Sequence, residues 1–287
     1  MLVRPSASTN QYRFMTQRQC PKLATLNVSL PTVTGSKTVI KISNSDETKF
    51  VLVDVSPHAI QSNPVRFEAG LWSEQVQVVD LGDEPSKFLQ SIIKDDEDDY
   101  ADVRVVAQLP NDGRRVDERY CPDSAVDNLG RVPKVSLTDG FPILIASEES
   151  LEELNRRLRE KGKDEIPMSR FRPNIVVKGL DKAFGEDEWK AIQIGEGSGA
   201  TILHVVKGCP RCKQSCTDQV TGERFEEPLE TLRDFRALDE KGEEVYFAQN
   251  ALLQPMGGVG KEIRVGDVVR VLTKGDPVWD IDTVAAE

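Results

Sequence analysis

Ile202-Leu203-His204-Val205-Val206-Lys207-Gly208-Cys209-Pro210-Arg211-Cys212 runs an apolar, β-branched strand straight into a cluster of thiols. The continuation, Lys213-Gln214-Ser215-Cys216, brings three of the chain's five cysteines within eight residues, beside an arginine and two lysines. Nearby cations favour the thiolate, the form that binds a metal. The cysteine count is odd and nothing marks an oxidising compartment, so free thiols doing metal or redox chemistry are a better reading than a disulfide scaffold. His204 could join Cys209, Cys212 and Cys216 as a three-cysteine, one-histidine zinc set. That is the weaker reading: a structural zinc serves domains too small to build a core, and all four ligands would come from one contiguous strand and loop.

Outward from this stretch the second half reads as strands carrying helices. Strands are expected over Ile175-Val176-Val177, Trp189 to Ile194, Ile202 to Val206 and Val265 to Leu272, with an apolar one from Phe141 to Ala146. After the last, Ser147 is a good N-cap, Glu148 and Glu149 fall where the helix dipole favours acids, and Leu151, Leu154 and Leu158 take helical spacing. Pro228 with Leu229, Leu232 and Phe235 marks another helix. Gly195-Glu196-Gly197-Ser198-Gly199 has no following helix and reads as a turn, and Gly257-Gly258-Val259-Gly260-Lys261 has the wrong spacing for a phosphate loop and reads as a hairpin connection.

The first half is β-rich as well. Ala24 to Leu30, Val39 to Ile42, Phe50 to Val55, Gln75 to Val79 and Val103 to Val106 are short strand candidates, and Pro85 to Ile93 a short helix. The acidic run Lys94 to Asp99 lacks the spacing and turn glycine of a calcium loop and reads as solvated. His58 follows Ser56-Pro57 and reads as an exposed loop residue; Cys20 and Cys121 read as small buried hydrophobes. A domain boundary is expected near Asp117, giving domains of 1–117 and 118–287.

Composition excludes some functions. The 287 residues hold 37 basic and 48 acidic side chains, a net charge of −11, which argues against a partner bound by phosphate neutralisation. There is no apolar run of membrane-spanning length, and Met1 to Ser6 is not expected to be a secretory signal. What the thiol cluster does have is arginine: Arg170 and Arg172 bracket Phe171, and Arg211 sits between two cysteines. Guanidinium forks hold phosphate and planar, acceptor-rich rings, so thiolate plus arginines reads as a site for an anionic, phosphate-bearing metal cofactor.

Five segments sharpen this. Arg13 to Gln19, Asp139-Gly140-Phe141-Pro142, Phe171-Arg172-Pro173-Asn174-Ile175-Val176, Ala183 to Trp189, and Cys209-Pro210-Arg211-Cys212 with Glu227 to Leu232 occur in the order seen in MOSC-domain molybdenum-cofactor proteins. The chain resembles the mitochondrial amidoxime reducing component type of that family over nearly its whole length. The resemblance implies a mainly β fold with helices (α+β), a β-barrel-like N-terminal domain followed by a MOSC β-barrel domain. It implies a molybdenum cofactor, Mo-molybdopterin, with Cys212 as metal ligand and catalytic residue. Pro210 and Arg211 match cofactor-lining positions, Gly140 and Phe141 a loop on the pterin or its phosphate, and Arg172 the cofactor-binding arginine; Asp139 and Asn174 match supports.

The activity so implied is molybdenum-dependent reduction of N-hydroxylated substrates (amidoximes, hydroxylamines). Electrons would come from a cytochrome b5-type partner and its flavin reductase, in a reducing compartment at the mitochondrial surface or in the cytoplasm. The alternatives are a sulfurtransferase working through a Cys212 persulfide and a non-catalytic cofactor-binding protein. Family members normally begin with a further strand bearing a Lys-Ser pair and an arginine before a tryptophan. Met1-Leu2-Val3 resembles the middle of the next strand, so the expectation is a chain shortened at its start, without anchor or targeting segment.

Overall fold

The computed structural model describes residues 1–6, 11–95, 98, 100–109, 112–239, 241–255 and 260–280. The chain divides into two compact units: Met1–Arg114 with Thr217–Phe225, and Arg115–Cys216 with Glu226–Glu287.

The first unit opens with β1 (Leu2–Pro5) and β2 (Tyr12–Met15). Next come β3 (Asn27–Val28), β4 (Thr32–Thr34), β5 (Lys37–Ser43) and β6 (Phe50–Asp54), an antiparallel sheet centred on β5. A short α1 (Pro57–Ser62) leads to the hairpin of β7 (Arg66–Leu71) and β8 (Glu74–Asp80), then α2 (Asp83–Ile93) and β9 (Arg104–Gln108). Strands β1, β2, β7, β8 and β9 close into a barrel, because β9 pairs back onto β1 as Leu2 faces Val105. Among the described residues, closure leaves this sheet no free edge. Leu89 and Ile93, four apart on α2, are buried, and Arg104 grips the buried Asp80 carboxylate with Nε and Nη2 at 2.7 and 2.9 Å.

Two sequence expectations change here. Ala24 to Leu30 is not one strand: Pro21–Thr25 is a 3-10 turn and only Asn27–Val28 pairs. Pro21 presets the turn, and the Asn27 side chain donates to the carbonyls of Asn44 and Ser45. His58 is exposed as expected, but it lies in α1 rather than in a loop. Within the acidic run, Asp96, Glu97 and Asp99 lie outside the described residues, while Asp98 pairs with Arg4 at 2.5 Å.

The dipeptide strand β10 (Arg114–Arg115) falls where the first unit ends and the second begins, and β11 (Lys134–Val135) precedes β12 (Ile143–Ser147), α3 (Glu148–Glu160) and β13 (Ile175–Val177). Strands β14 (Trp189–Ile194) and β15 (Thr201–Pro210), helix α4 (Leu229–Arg236), and strands β16 (Tyr246–Leu253) and β17 (Val269–Lys274) complete the second unit. The main sheet has the order β13-β12-β16-β15-β14-β17, a half-barrel in which, among the described residues, β12 and β13 pair parallel and the other neighbours antiparallel. Helices α3 and α4 bring Leu154, Leu158 and Leu232 onto Phe171 and Phe247 in one apolar cluster; Ile145, Trp189, Ile192, Leu203 and Ala251 form another.

Ser147 caps α3 as expected, its hydroxyl accepting from the Ser150 N–H at 3.1 Å. The segment Gly197–Gly199 is a 3-10 turn between β14 and β15, and Gly257, Gly258 and Val259 lie outside the described residues. The last strand begins at Val269 instead of Val265, because Asp267 closes a turn on Arg264 and Gly266 takes φ +98°.

Candidate functional site

Proline decides where β15 ends. Pro210 can donate no ladder hydrogen bond, so the chain leaves the sheet there. The Arg211 N–H then donates to the Val245 carbonyl at 2.8 Å. The Cys212 carbonyl accepts from both the N–H and the hydroxyl of Ser215, at 3.0 and 2.8 Å, opening the 3-10 turn Lys213–Cys216. The Cys212 backbone is therefore fixed, and its side chain is half-buried.

The three clustered thiols are not equivalent. Cys216 is buried, its Sγ 3.2 Å from the Glu226 carbonyl, and burial pushes its thiol up, away from the thiolate. Cys209 is half-buried and its Sγ lies 3.0 Å from Arg211 Nη1. Cys20 is fully buried, whereas Cys121 is only half-buried, less enclosed than the sequence reading has it. His204 is buried in β15, its Nε2 has no hydrogen-bond partner among the described residues, and burial lowers its pKa. Among the described residues no group of three His, Cys, Asp or Glu side chains is placed to hold a metal ion, which weighs against the zinc set.

A second loop meets the first. After the 3-10 turn Met168–Arg170, Phe171 is buried and stacks on Phe247 with ring centres 3.8 Å apart. Arg211 crosses to it: Nη2 donates to the Phe171 carbonyl at 2.9 Å, and the guanidinium lies 5.2 Å from the Phe171 ring centre. The next residue, Arg172, is exposed with φ +57°, a left-handed conformation costing a non-glycine residue roughly 1–2 kcal/mol. Pro173 follows and disfavours the right-handed alternative. Asn174 then ties this loop to the start of β12, its N–H donating to the Leu144 carbonyl at 2.9 Å and its Oδ1 accepting from the Leu144 N–H at 2.8 Å.

The Asp139–Pro142 loop precedes that tie. Asp139 and Gly140 are exposed, and a methyl added at Gly140 would touch nothing. Phe141 is half-buried edge-on to Tyr120, at 6.4 Å, in an apolar cluster with Val206 and Leu252. It therefore anchors the base of its loop by packing. Direct contacts thus link Cys209, Arg211 and Phe171, and Asn174 with Leu144, the two sets being joined along the chain by Arg172 and Pro173, with Pro210 and Cys212 adjoining. Arg170, whose buried charge acts on the Cys216 thiol, and Ser215, which holds the Cys212 carbonyl, belong to the same neighbourhood. A hydroxyl three residues past a cysteine was the available signal for Ser215. Nothing in sequence spacing tells buried Arg170 from exposed Arg172.

A cavity of about 500 Å³ opens elsewhere, over α3, lined by Glu148, Glu149, Glu152, Glu153, Arg156 and Ala183. Four carboxylates make it hostile to an anionic cofactor, and none of the predicted site residues lines it.

Comparison with known proteins gives the family. Residues 132–270 match the MOSC domain, so the sheet bearing Cys212 is that of a MOSC protein. Over 267 residues the chain is 31% identical to mitochondrial amidoxime reducing component 2 of Rattus norvegicus, spanning 92% of this chain and 69% of that protein. It is 31% identical to the Bos taurus protein of the same name over 229 residues, 79% of this chain and 60% of that one. Molybdenum cofactor sulfurase of Aspergillus terreus is 29% identical over 171 residues, 55% of this chain and 20% of that protein. The chain belongs to the amidoxime reducing component family of MOSC-domain proteins, and spans 60% to 69% of the length of these two mammalian members.

Proposed function

We propose that this chain binds a molybdenum cofactor through Cys212 and reduces N-hydroxylated compounds, amidoximes to amidines and hydroxylamines to amines. One observation carries the reading: Cys212 offers a half-buried sulfur next to Arg211, on a backbone held by the Val245 carbonyl and Ser215, whereas burial pushes the neighbouring Cys216 away from the thiolate. A single soft donor fits a metal whose remaining ligands come from a dithiolene. The buried Nε of Arg211, without a hydrogen-bond partner among the described residues, fits a further acceptor at this place.

When bound, the cofactor supplies the two-electron removal of oxygen from the substrate. The residues of the chain hold and orient. Cys212 would ligate the metal, and Ser215 keeps the thiol's backbone from swinging by gripping its carbonyl. Arg211, turned inward onto the Phe171 carbonyl, joins the two loops and lines the site with Pro210. Arg172 is left exposed with its five donors and would pair with the anionic end of the cofactor. Gly140 gives close approach from the third loop, Phe141 anchors that loop, and Asn174 keeps it in register with the second. Asp139 is the carboxylate carried on the same exposed turn. Electrons would come from a cytochrome b5-type donor and its flavin reductase, at the mitochondrial surface or in the cytoplasm. Among the described residues no helix is long and apolar enough to cross a membrane. A domain boundary near Asp117 is proposed with this reading.

The sulfurase relative favours one further reading, a Cys212 persulfide that passes sulfur on. Metal analysis of protein made in a cofactor-competent host separates the two. One molybdenum per chain with benzamidoxime reduction supports the reductase; molybdenum without turnover leaves a carrier; labile sulfur without molybdenum supports the transferase. Cys212→Ala is expected to abolish loading and Cys209→Ala to retain part of it. Equal loss from both would show that the two thiols have been assigned wrongly.

A further inference from the structure

Strand β15 does not reach the thiols as a regular strand. Its pairing with β16 shifts register between Val205 and Lys207 and again between Gly208 and Pro210. Such bulges interrupt the ladder, so the sheet alone holds this approach to Cys212 poorly.

The segment after β17 supplies the missing hold. Gly275 N–H donates to the Glu188 carbonyl at 2.9 Å, and three residues later the Val278 carbonyl accepts from the Gly208 N–H at 2.8 Å. The Val278 side chain packs into the cluster of Tyr120, Val206 and Leu252. Trp279 covers Gly208 so closely that a methyl there would sit 2.5 Å from two of its ring carbons. The same indole lies 5.0 Å from the Tyr246 ring and 5.3 Å from the Arg236 guanidinium, which Asp187 holds at 2.7 Å. The Asp280 carboxylate pairs with the buried Lys207 ammonium and accepts from the Tyr246 hydroxyl at 3.0 Å, while its N–H donates back to that oxygen at 3.2 Å. Tyr246 is the residue opposite Pro210 in the ladder. Three consecutive residues thus grip Lys207, Gly208 and the partner of Pro210, immediately before Cys212.

We propose that Val278–Asp280 is a positioning latch that fixes the Lys207–Cys212 approach and so sets the Cys212 thiol for the metal. This rests on Cys212 being the ligand proposed above. Trp279 and Asp280 act through β15, so their loss changes the presentation of one thiol and leaves the core of the sheet in place.

The test uses the full chain, cofactor-free and loaded. In the cofactor-free protein, Trp279→Ala and Asp280→Asn are expected to raise the iodoacetamide alkylation rate of Cys212 about tenfold by easier local opening, with Cys216 unchanged. Trp279→Phe should restore most of the protection. Gly208→Ala should mimic Trp279→Ala and add nothing to it. In loaded protein the same variants should lower molybdenum per chain. Unchanged Cys212 alkylation in folded Trp279→Ala overturns the latch, as does an equal rise at Cys216, the mark of general loosening. Should Trp279→Ala fail to fold, Asp280→Asn decides by the same criterion. Molybdenum loading of Cys212→Ala would instead overturn the ligand assignment, whatever the alkylation rates show.

Discussion

Arg211 shows how much of the site rests on one side chain. Its Nη2 reaches the Phe171 carbonyl, its Nη1 the Cys209 sulfur, and its guanidinium carbon lies 5.2 Å from the Phe171 ring centre. A planar fork can make these contacts together; a lysine's compact ammonium cannot. We expect Arg211→Lys to keep the charge yet lower the affinity for the molybdenum cofactor by roughly 10–100-fold, the range seen when supports of metal ligands are lost. Molybdenum retained after dialysis is the measurement, and retention equal to the parent would remove Arg211 from the proposed site. The residue type was legible in the sequence, because an arginine between two cysteines points to an anion or a metal. Its direction was not: whether a guanidinium faces solvent or crosses to a neighbouring loop depends on where that loop lies in space. Arg172 is the counterpart, kept at the surface by a left-handed backbone that spacing does not announce.

At the scale of the element, the start of α3 joins a cap to a buried acid. The Ser147 and Ser150 hydroxyls lie 3.0 and 2.7 Å from the Glu186 carboxylate oxygens, and Glu186 is fully buried. The cap was readable from Ser147-Glu148-Glu149, since capping is local. The acid was not, because it arrives from thirty-nine residues away. Strand β16 was missed for a related reason: it is buried along nearly its whole length and shows none of the alternation that marks a half-exposed strand. Burial raises the Glu186 pKa above its ordinary 4.5. Between 4.5 and that raised value the folded chain holds a proton that the unfolded chain has released, so stability falls as pH rises through the window. Glu186→Gln should remove this slope, matching the parent near pH 4 and equalling or exceeding it near pH 7 in urea unfolding. Parallel curves for the two proteins would show that Glu186 does not titrate in this way.

On the scale of the whole molecule, the chain leaves its second unit after Cys216, contributes Thr217–Phe225 to the first, and returns at Glu226. The chain thus passes between its two units more than once, and no local pattern in the sequence reveals this short excursion. The excursion is well held within the first unit. Arg224 Nη2 donates to the Gln17 and Arg18 carbonyls at 2.6 and 3.0 Å, and the side-chain amides of Gln17 and Gln219 bond each other at 3.1 and 3.2 Å. At its turn Gly222 takes φ +74°, and an added methyl would come within 3.2 Å of Thr25 and 3.4 Å of the Pro21 carbonyl. Any other residue there meets both the left-handed penalty and crowding, so Gly222→Ala should destabilise the first unit by about 1–3 kcal/mol. The effect should appear in hydrogen exchange as lost protection over the turn Pro21–Thr25, with β14 and β15 keeping theirs. Uniform loss across both units would mean that they unfold as one, and unchanged protection at Pro21–Thr25 would mean that the excursion contributes nothing to the unit that holds it.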